Sequence, residues 1–596
     1  ISTVRLVKKK LLNLMLMLYQ IRLVCGKNES ATCSAALEKI SHVQALVCFE
    51  GDENKDLDKK KKVPRKIRST RLGSIDFQVE SALNKQGKRV VPEEFKRLAP
   101  KGKSFSYDTI WDVTRLHFIE YKQRTEIQKL LPFKISTGAI SNLYKEGLAY
   151  IRACHEAVSP ELKKYYRSSD RPFIILMDGT NEGGAQTHFQ IREAYTNNVL
   201  LARRISSENQ DDIEDMLKET EDRFGRPDAV ISDMAKTGIN AVQNRWGGKV
   251  PLFICQFHFL RDLGNDMLAN YHQNLRKAIS SCTLTKKLNR LRECFNQSSQ
   301  KTVKTDKDYL QAIAMIDWIL DYSRELNGQG VPFDLSWKVY YERCNKIYRQ
   351  ITEILNDNNR KYSAKQTKIL SRLRIVLKAL FSNSNSVKRY TILNETWNDF
   401  MEVRSLFWDD ENDKAAPLSR NATITNTDNT SPEELSKNIE KIIKKFKSKA
   451  GDMAKSRKSI YIKAAAQLEK YKTKLSNHII KDETLYPLPR TNNLCEVAFR
   501  EVKRQLRRTN GKKNLARVMD HTPVEIMFLQ NLKDEQYRKI VFGEKEIHEV
   551  FAQVPQDTLK QILADMSSNV TKKNIDPAIK KPNFLETIKK HFLKSA

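Results

Sequence analysis

Two aspartates close apolar runs in this chain. "RPFIILMDGT" (171–180) carries Asp178 near its end, and "PDAVISDMA" (227–235) carries Asp233. One acid at the end of a buried strand is ordinary, because Asp often caps the next element. Two such acids on strands expected to be neighbours point to carboxylates converging on a cation. Mg²⁺ takes hard oxygen ligands and keeps several waters, so it suits one or two carboxylates plus a substrate phosphate. A third acid would complete a two-metal site, which clamps the attacking and leaving oxygens of a phosphoryl displacement. The candidate is Glu496 in "RTNNLCEVAFREVKRQLRRTNGKKN" (490–514). Helical spacing puts it on one face with Arg500, Lys503 and Arg507, and Arg508 adds to the charge. A carboxylate there weakens phosphate binding unless it holds a cation. A second reading stays open: Asn493 as N-cap, with Glu496 three residues on, is a capping-box pattern that only closes a helix start.

The elements that must position these acids follow from pattern. Strands are expected at 171–180, 187–195, 197–206, 227–235 and 250–264, with an amphipathic helix over 209–225 that stops at Gly225 and a short helix after Ala235. That order makes an α/β sheet with a mixed core. Of the rival acids Glu182, Asp228, Asp262 and Glu501, Asp228 precedes its strand and Glu501 points away from the Glu496 face. Cys255 and His258 form a C-x-x-H pair, too few ligands for a zinc site. Read from the residues alone, they pack at a strand-to-helix junction.

Charge names the partner class. The chain of 596 residues has 105 Lys and Arg against 72 Asp and Glu, a net +33 that points to a polyanion, most commonly nucleic acid. Nine scattered cysteines with no C-x-x-C fit a reducing compartment and argue against a disulfide framework. The opening run, Ile1 to Gly26, imitates a signal peptide but is interrupted by Asn13, Gln20 and Arg22 and is too short to cross a bilayer. Residues 1–55 read as a weak helical lead-in. "KKKKVPRKIRSTR" (59–71) reads as a flexible phosphate-binding arm, with Lys61, Arg65 and Arg68 as contacts, or as a solvated linker.

Residues 107–151 have helical period. A short helix from Thr125 to Leu131, a turn containing Pro132 and a cap at Ser136 give helix-turn-helix spacing, and the second helix would offer Ser141, Asn142 and Lys145 to a DNA groove. A plain helical hairpin is the alternative. Residues 265–480 are helical in period, broken by a loop at 409–430 and restarted by "SPEE" at 431–434; residues 481–489 read as a loop. The expected organisation is a basic region (1–104), a helix-turn-helix domain (105–165), a first core part (166–268), an all-helical insertion (269–482), a second core part with the Glu helix (483–530) and a helical tail (531–596).

With these motifs in order, the chain resembles transposases of the DDE type with a ribonuclease H-like fold, particularly the Mutator-like group and its prokaryotic insertion-sequence relatives. The matching stretches are "LMDGTNEGG", "VISDMA", "FICQFHFLRD" and "RTNNLCEVAFREVKRQLRR", across about 105–555. The resemblance implies a multidomain α/β plus α fold, a ribonuclease H-like core interrupted by a helical insertion. It implies Asp178, Asp233 and Glu496 as catalytic triad and ligands of two Mg²⁺ ions, with Mn²⁺ as a substitute. A supporting role for Cys255 and His258 is what the resemblance of their stretch implies. It implies a recombinase that cleaves element ends and joins the 3′-hydroxyl to target DNA. A homodimer or larger assembly on paired ends is expected. So is a place at the nucleoid of a prokaryotic host, or in the nucleus of a eukaryotic one. Two other functions compete: a transposase-derived DNA-binding regulator without catalysis, and a ribonuclease H-like nuclease without strand transfer. Unlike relatives with paired cysteines near the N-terminus, this chain has none at metal spacing there.

Overall fold

A computed structural model of the chain describes residues 4–5, 44–49, 57–167, 171–205, 208–300, 307–326, 328, 330–357, 362–407, 431–476 and 478–568. The fold is mixed α/β and mainly helical, and the chain divides into two compact units. The first unit takes in residues 1–230, 236–250 and 494–596; the second takes in 231–235 and 251–493.

The first unit opens on a small sheet of Val4–Arg5 (β1), Gln44–Val47 (β2), Asp58–Ser69 (β3), Gly73–Leu83 (β4) and Arg89–Val90 (β5). Its order is β1-β2-β4-β3, with β5 also on β4. Two expectations are overturned here. The described parts of the lead-in are mainly strand, with β1 parallel to β2 and β2 parallel to β4. The basic arm is no flexible linker but β3, an edge strand antiparallel to β4. Its alternation explains the difference. Val63 faces Val79, Arg65 faces Phe77 and Ile67 faces Ile75, while Lys62 and Lys66 stand opposite Glu80 and Asp76 on the other face. Ile67, Phe77 and Val79 join Phe95 of Glu93–Leu98 (α1) in a core that charge counting does not reveal.

Four helices follow: Tyr107–Phe118 (α2), Arg124–Leu130 (α3), Thr137–Ala157 (α4) and Ser159–Tyr166 (α5). A second sheet carries Ile174–Thr180 (β6), Thr187–Glu193 (β7) and Val199–Ile205 (β8) as antiparallel neighbours, with Ala229–Ser232 (β9) beside β6. Between β8 and β9 runs Gln210–Phe224 (α6), capped by the Asn209 side chain on the Asp212 N–H and ended at Gly225, where φ is 86°. The Asp228 N–H donates to the Phe173 carbonyl (2.8 Å) and the Asp228 carboxylate accepts the Phe173 N–H (2.7 Å), so β9 and β6 begin side by side. Lys236–Trp246 (α7) completes this stretch.

In the second unit, the strand expected over 250–264 shrinks to Leu252–Ile254 (β10), and the run continues as the long helix Gln256–Ser281 (α8). Apolar residues at Phe259, Leu260, Leu263, Met267 and Leu268 carry a helical period that a strand reading overlooks. Helices Leu284–Gln300 (α9), Lys307–Leu320 (α10), Ser336–Asn356 (α11), Ala364–Phe381 (α12), Ser384–Ser405 (α13), Pro432–Gly451 (α14) and Lys455–Tyr471 (α15) build the rest. A Cβ at Gly264 would lie 2.4 Å from Pro332 and 2.7 Å from Phe400, so glycine is what lets α8 and α13 pack this closely. Ser431 caps α14 through the Glu434 N–H (3.2 Å). The expected loop at 409–430 lies outside the described residues. The expected loop at 481–489 is largely a hairpin instead: His478–Lys481 (β11) pairs with Thr484–Pro487 (β12), and Asp482 and Glu483 turn between them with φ of 49° and 63°.

The chain returns to the first unit in Asn493–Asn510 (α16), followed by Ala516–His521 (α17), a 3₁₀ stretch Val524–Lys533, Glu535–Phe542 (α18), Ile547–Phe551 (α19) and Gln556–Ser568 (α20). No helix among the described residues is long and apolar enough to cross a membrane.

Candidate active site

Asp178 is the fifth residue of β6, directly opposite Gln190 on β7. Paired residues of an antiparallel ladder project to one face, so Asp178 and Gln190 share theirs. Gln190 is fully buried, and its Nε2 donates to the Cys495 carbonyl (3.4 Å) in the first turn of α16. The next residue is Glu496. The first turn of the glutamate helix is thereby bonded to the residue that faces Asp178. Gly179 explains how β6 ends in so tight a place. A Cβ there would meet Glu208 Oε1 at 2.3 Å, Thr187 Cγ2 at 2.9 Å and Phe189 Cδ2 at 3.0 Å. The Gly179 N–H donates to Asp178 Oδ1 (2.9 Å).

Helix α16 buries Cys495, Ala498, Phe499, Val502 and Leu506, a spacing of three and four that fixes its rotation. Glu496 is half-buried, with Arg500 Nη2 at 4.0 Å. α16 begins at Asn493 itself, which makes Glu496 fourth in the helix, where a capping box needs the acid third. Further along the same line, Lys503 Nζ donates to the Asn181 carbonyl (2.8 Å), and Arg507 Nη2 pairs with Glu182 Oε2 (2.7 Å). Burial lowers the Lys503 ammonium pKa, although Glu182 nearby opposes the shift. Lys503 and Arg507 therefore bind the loop after β6, while Arg500, Arg504 and Arg508 are exposed. The exposed cations continue past the helix with Lys512, Lys513 and Arg517.

The rival acids have local partners. Asp228 holds the start of β6, Glu182 binds Arg507, and Glu501 pairs with Lys533 (2.9 Å). Asp262, in the second unit, is half-exposed beside Arg261 (3.7 Å).

Asp233 also belongs to the second unit, immediately after β9, and its Oδ1 accepts the Ala235 N–H (3.0 Å). The Ser232 carbonyl accepts the Cys255 N–H (2.8 Å), and Cys255 Sγ in turn accepts the Asn492 N–H (3.4 Å). Gln256 donates its N–H to the Arg490 carbonyl (2.9 Å). Cys255, buried between β10 and α8, thus fastens the residue before Asp233 to the segment that leads into the glutamate helix. His258 is buried in the first turn of α8, with its ring 5.8 Å from that of Phe257. Both members of the C-x-x-H pair occupy a strand-to-helix junction.

Among the described residues, no three Asp, Glu, His or Cys side chains are grouped so as to hold a metal ion. The donor chemistry of the three expected acids still suits a hard cation, since each offers carboxylate oxygens and each is partly exposed.

The other expected contacts are scattered over the first unit. Ser136 caps α4 through the Ala139 N–H (3.1 Å). Asn142 and Lys145 are exposed on the opening turns, whereas Ser141 donates to the Tyr144 hydroxyl (2.9 Å). From Glu146 to Ile151 every residue of α4 is buried, so its middle is closed to a ligand. Lys61 is exposed on β3. Arg65 lies over Phe95 and donates to the Lys103 carbonyl (3.0 Å), and Arg68 lies over Phe105. Sequence reasoning missed Gln190, Gly179 and the role of Glu182. Only "LMDGTNEGG" signalled a tight turn there, and cross-strand partners have no mark in one sequence.

Comparison of the chain with protein-family models and with curated proteins gives no match.

Proposed function

We propose that the chain is a DNA transposase of the DDE type, built on a ribonuclease H-like core with a helical insertion and acting as a homodimer or larger assembly on paired element ends. The observation that carries this reading is the bond from Gln190 to the Cys495 carbonyl, which brings the turn of Glu496 to the residue opposite Asp178. In a core of that kind, Asp178, Asp233 and Glu496 are the residues that would hold Mg²⁺. Two such ions would lower the barrier to in-line attack on a DNA phosphodiester. The protein's own share is positional. Exposed Arg500, Arg504 and Arg508 would bind backbone phosphate beside the acid, and the bonds of Lys503 and Arg507 to the loop after β6 would hold α16 in place. Hydrolysis breaks the 3′ P–O bond at the element end and leaves a 3′-hydroxyl. That hydroxyl then attacks a target phosphodiester, and a target 3′-oxygen departs. Asn142 and Lys145 at the start of α4 would read the ends as a helix-turn-helix, helped by Lys61 on β3.

An excision and integration assay in cells tests this, with DNA flanking the gene placed around a selectable marker. The expected result is marker movement with the wild type and none with Glu496→Gln. Movement with both would remove Glu496 from the centre. DNA binding without cleavage would favour the regulator, and cleavage without joined product the nuclease.

A further inference from the structure

Glu182 lies four residues beyond Asp178, in the loop between β6 and β7, and uses both carboxylate oxygens. Oε2 meets Arg507 Nη2 at 2.7 Å and Lys503 Nζ at 4.0 Å, both on α16; Oε1 accepts the Leu515 N–H at 3.2 Å, beyond the helix end. The same loop is gripped at other points. The Asn181 carbonyl accepts from Lys503 (2.8 Å), and the Gln186 N–H donates to Asp520 (2.9 Å). At Gly183, where φ is 61°, a Cβ would lie 3.1 Å from the Ala516 Cβ. Upstream, Gln190 holds the Cys495 carbonyl. The helix that carries Glu496 is therefore tied to the strand and loop around Asp178 on both sides of the acid.

We infer that Glu182 is a positioning residue. With Lys503 and Arg507 it clamps the loop after β6 to α16 and so sets the distance between Asp178 and Glu496. This rests on the reading of those two acids as one centre. A competing idea makes the carboxylate a stand-in for DNA phosphate, displaced when DNA arrives. Lys503 argues against it, because its hydrogen bond goes to a neutral carbonyl, and so does the Leu515 N–H, which holds Glu182 from outside the cation pair.

The full-length chain can test this with Glu182→Gln, with Glu182→Asp as the conservative control and Asp178→Asn as the reference for loss of a ligand. Three quantities are read: Mn²⁺ affinity by electron paramagnetic resonance, amide hydrogen exchange over 179–186, and affinity for a plain DNA duplex. Positioning predicts that Glu182→Gln weakens Mn²⁺ binding by roughly tenfold, the usual scale for a residue behind the ligands. Loop amides exchange faster, duplex affinity is unchanged, and Glu182→Asp recovers most of the loss. Unchanged Mn²⁺ affinity together with unchanged exchange overturns the inference. So does tighter duplex binding with intact Mn²⁺ affinity, the signature of a phosphate stand-in. A wild type that binds no Mn²⁺ sinks the catalytic reading instead. Exchange over 179–186 then still decides the clamp, supporting it if faster in Glu182→Gln and overturning it if unchanged.

Discussion

Two stretches of this chain are rich in positive charge and fold in different ways. "KKKKVPRKIRS" becomes the edge strand β3, and "EVKRQLRRTN" becomes the second half of α16. In the strand the period of two splits the cations between faces. Lys62 and Lys66 stand over acidic partners, and Arg65 turns inward to lie over Phe95. A lysine-rich edge also discourages pairing with another chain. In the helix the period of 3.6 sorts cations by angle. Lys503 and Arg507 take the loop after β6, and Arg500, Arg504 and Arg508 are left to solvent. Charge density alone therefore says little about ligand binding. Period decides which cations remain available.

The comparison breaks most visibly at the acids. Asp178→Asn or Glu496→Gln should remove DNA cleavage by on the order of a thousandfold or more, because metal-borne charge stabilisation is worth several kcal/mol. Neutralising Asp76 opposite Lys66 on β3 should leave cleavage within about twofold, the limited effect expected of an exposed pair. Single-turnover cleavage of an end-bearing duplex measures both.

Acid should destabilise the first unit through two buried histidines. His188 is buried on β7 with Nε2 at 3.1 Å from the Met519 carbonyl of α17, and burial, then Arg204, pushes its pKa down to about 4. His155, fully buried with its ring nitrogens on Tyr537 and the Leu200 carbonyl, is likewise lowered to about 4 by burial. Both must stay neutral in the folded state. Their contribution is complete above the unfolded histidine value of about 6.5 and is lost progressively as pH falls toward 4, up to roughly 3 kcal/mol each. Denaturant unfolding at pH 7.5 and pH 5 should show the loss, and His188→Gln should flatten its share.

Gly179→Ala should destabilise the first unit by about 1–3 kcal/mol, the range for forcing atoms into filled space, because the added methyl overlaps Glu208, Thr187 and Phe189. Urea unfolding is the measurement. The smallest effects separate the two basic stretches most cleanly. Arg508→Ala should weaken duplex binding and lower the salt slope by about one. Arg65→Ala should leave that slope alone and cost about 0.5–1 kcal/mol of stability through the lost stacking on Phe95. Parallel salt titrations and melting curves would reverse this assignment if Arg65 moved the slope.

The middle of the fold was legible in the sequence because its elements punctuate themselves. Asn209 and Gly225 bound α6 as read, and the apolar runs of β6 to β9 fall within the expected spans. Elsewhere local signals competed. Four consecutive lysines masked the alternation of Val63, Arg65 and Ile67, whose meaning depends on Ile75, Phe77 and Val79 across the hairpin. The β11–β12 turn has no glycine or asparagine to announce it, since Asp482 and Glu483 take the positive φ values themselves. In "VPLFICQFHFLRDLG" an apolar run serves both a strand and a buried helix, and length alone does not separate them. Residue types marked the three acids and the cations of α16 as candidates. The clamp through Glu182 and the bond from Gln190 depend on contacts between segments more than 300 positions apart.

That separation also constrains synthesis. Gln190 and Cys495 are 305 positions apart, and the stretch between them includes the whole 251–493 part of the second unit. At ordinary translation speeds of ~5–20 residues per second, the β-sheet that carries Asp178 leaves the ribosome tens of seconds before the partner helix exists. The face meant for α16 spends that interval uncovered. Folding of the intervening helices during that interval reduces the effective loop that must close, and with it the entropic barrier to docking. A chain truncated before position 490 would therefore retain both aspartates and lack the helix whose first turn Gln190 holds.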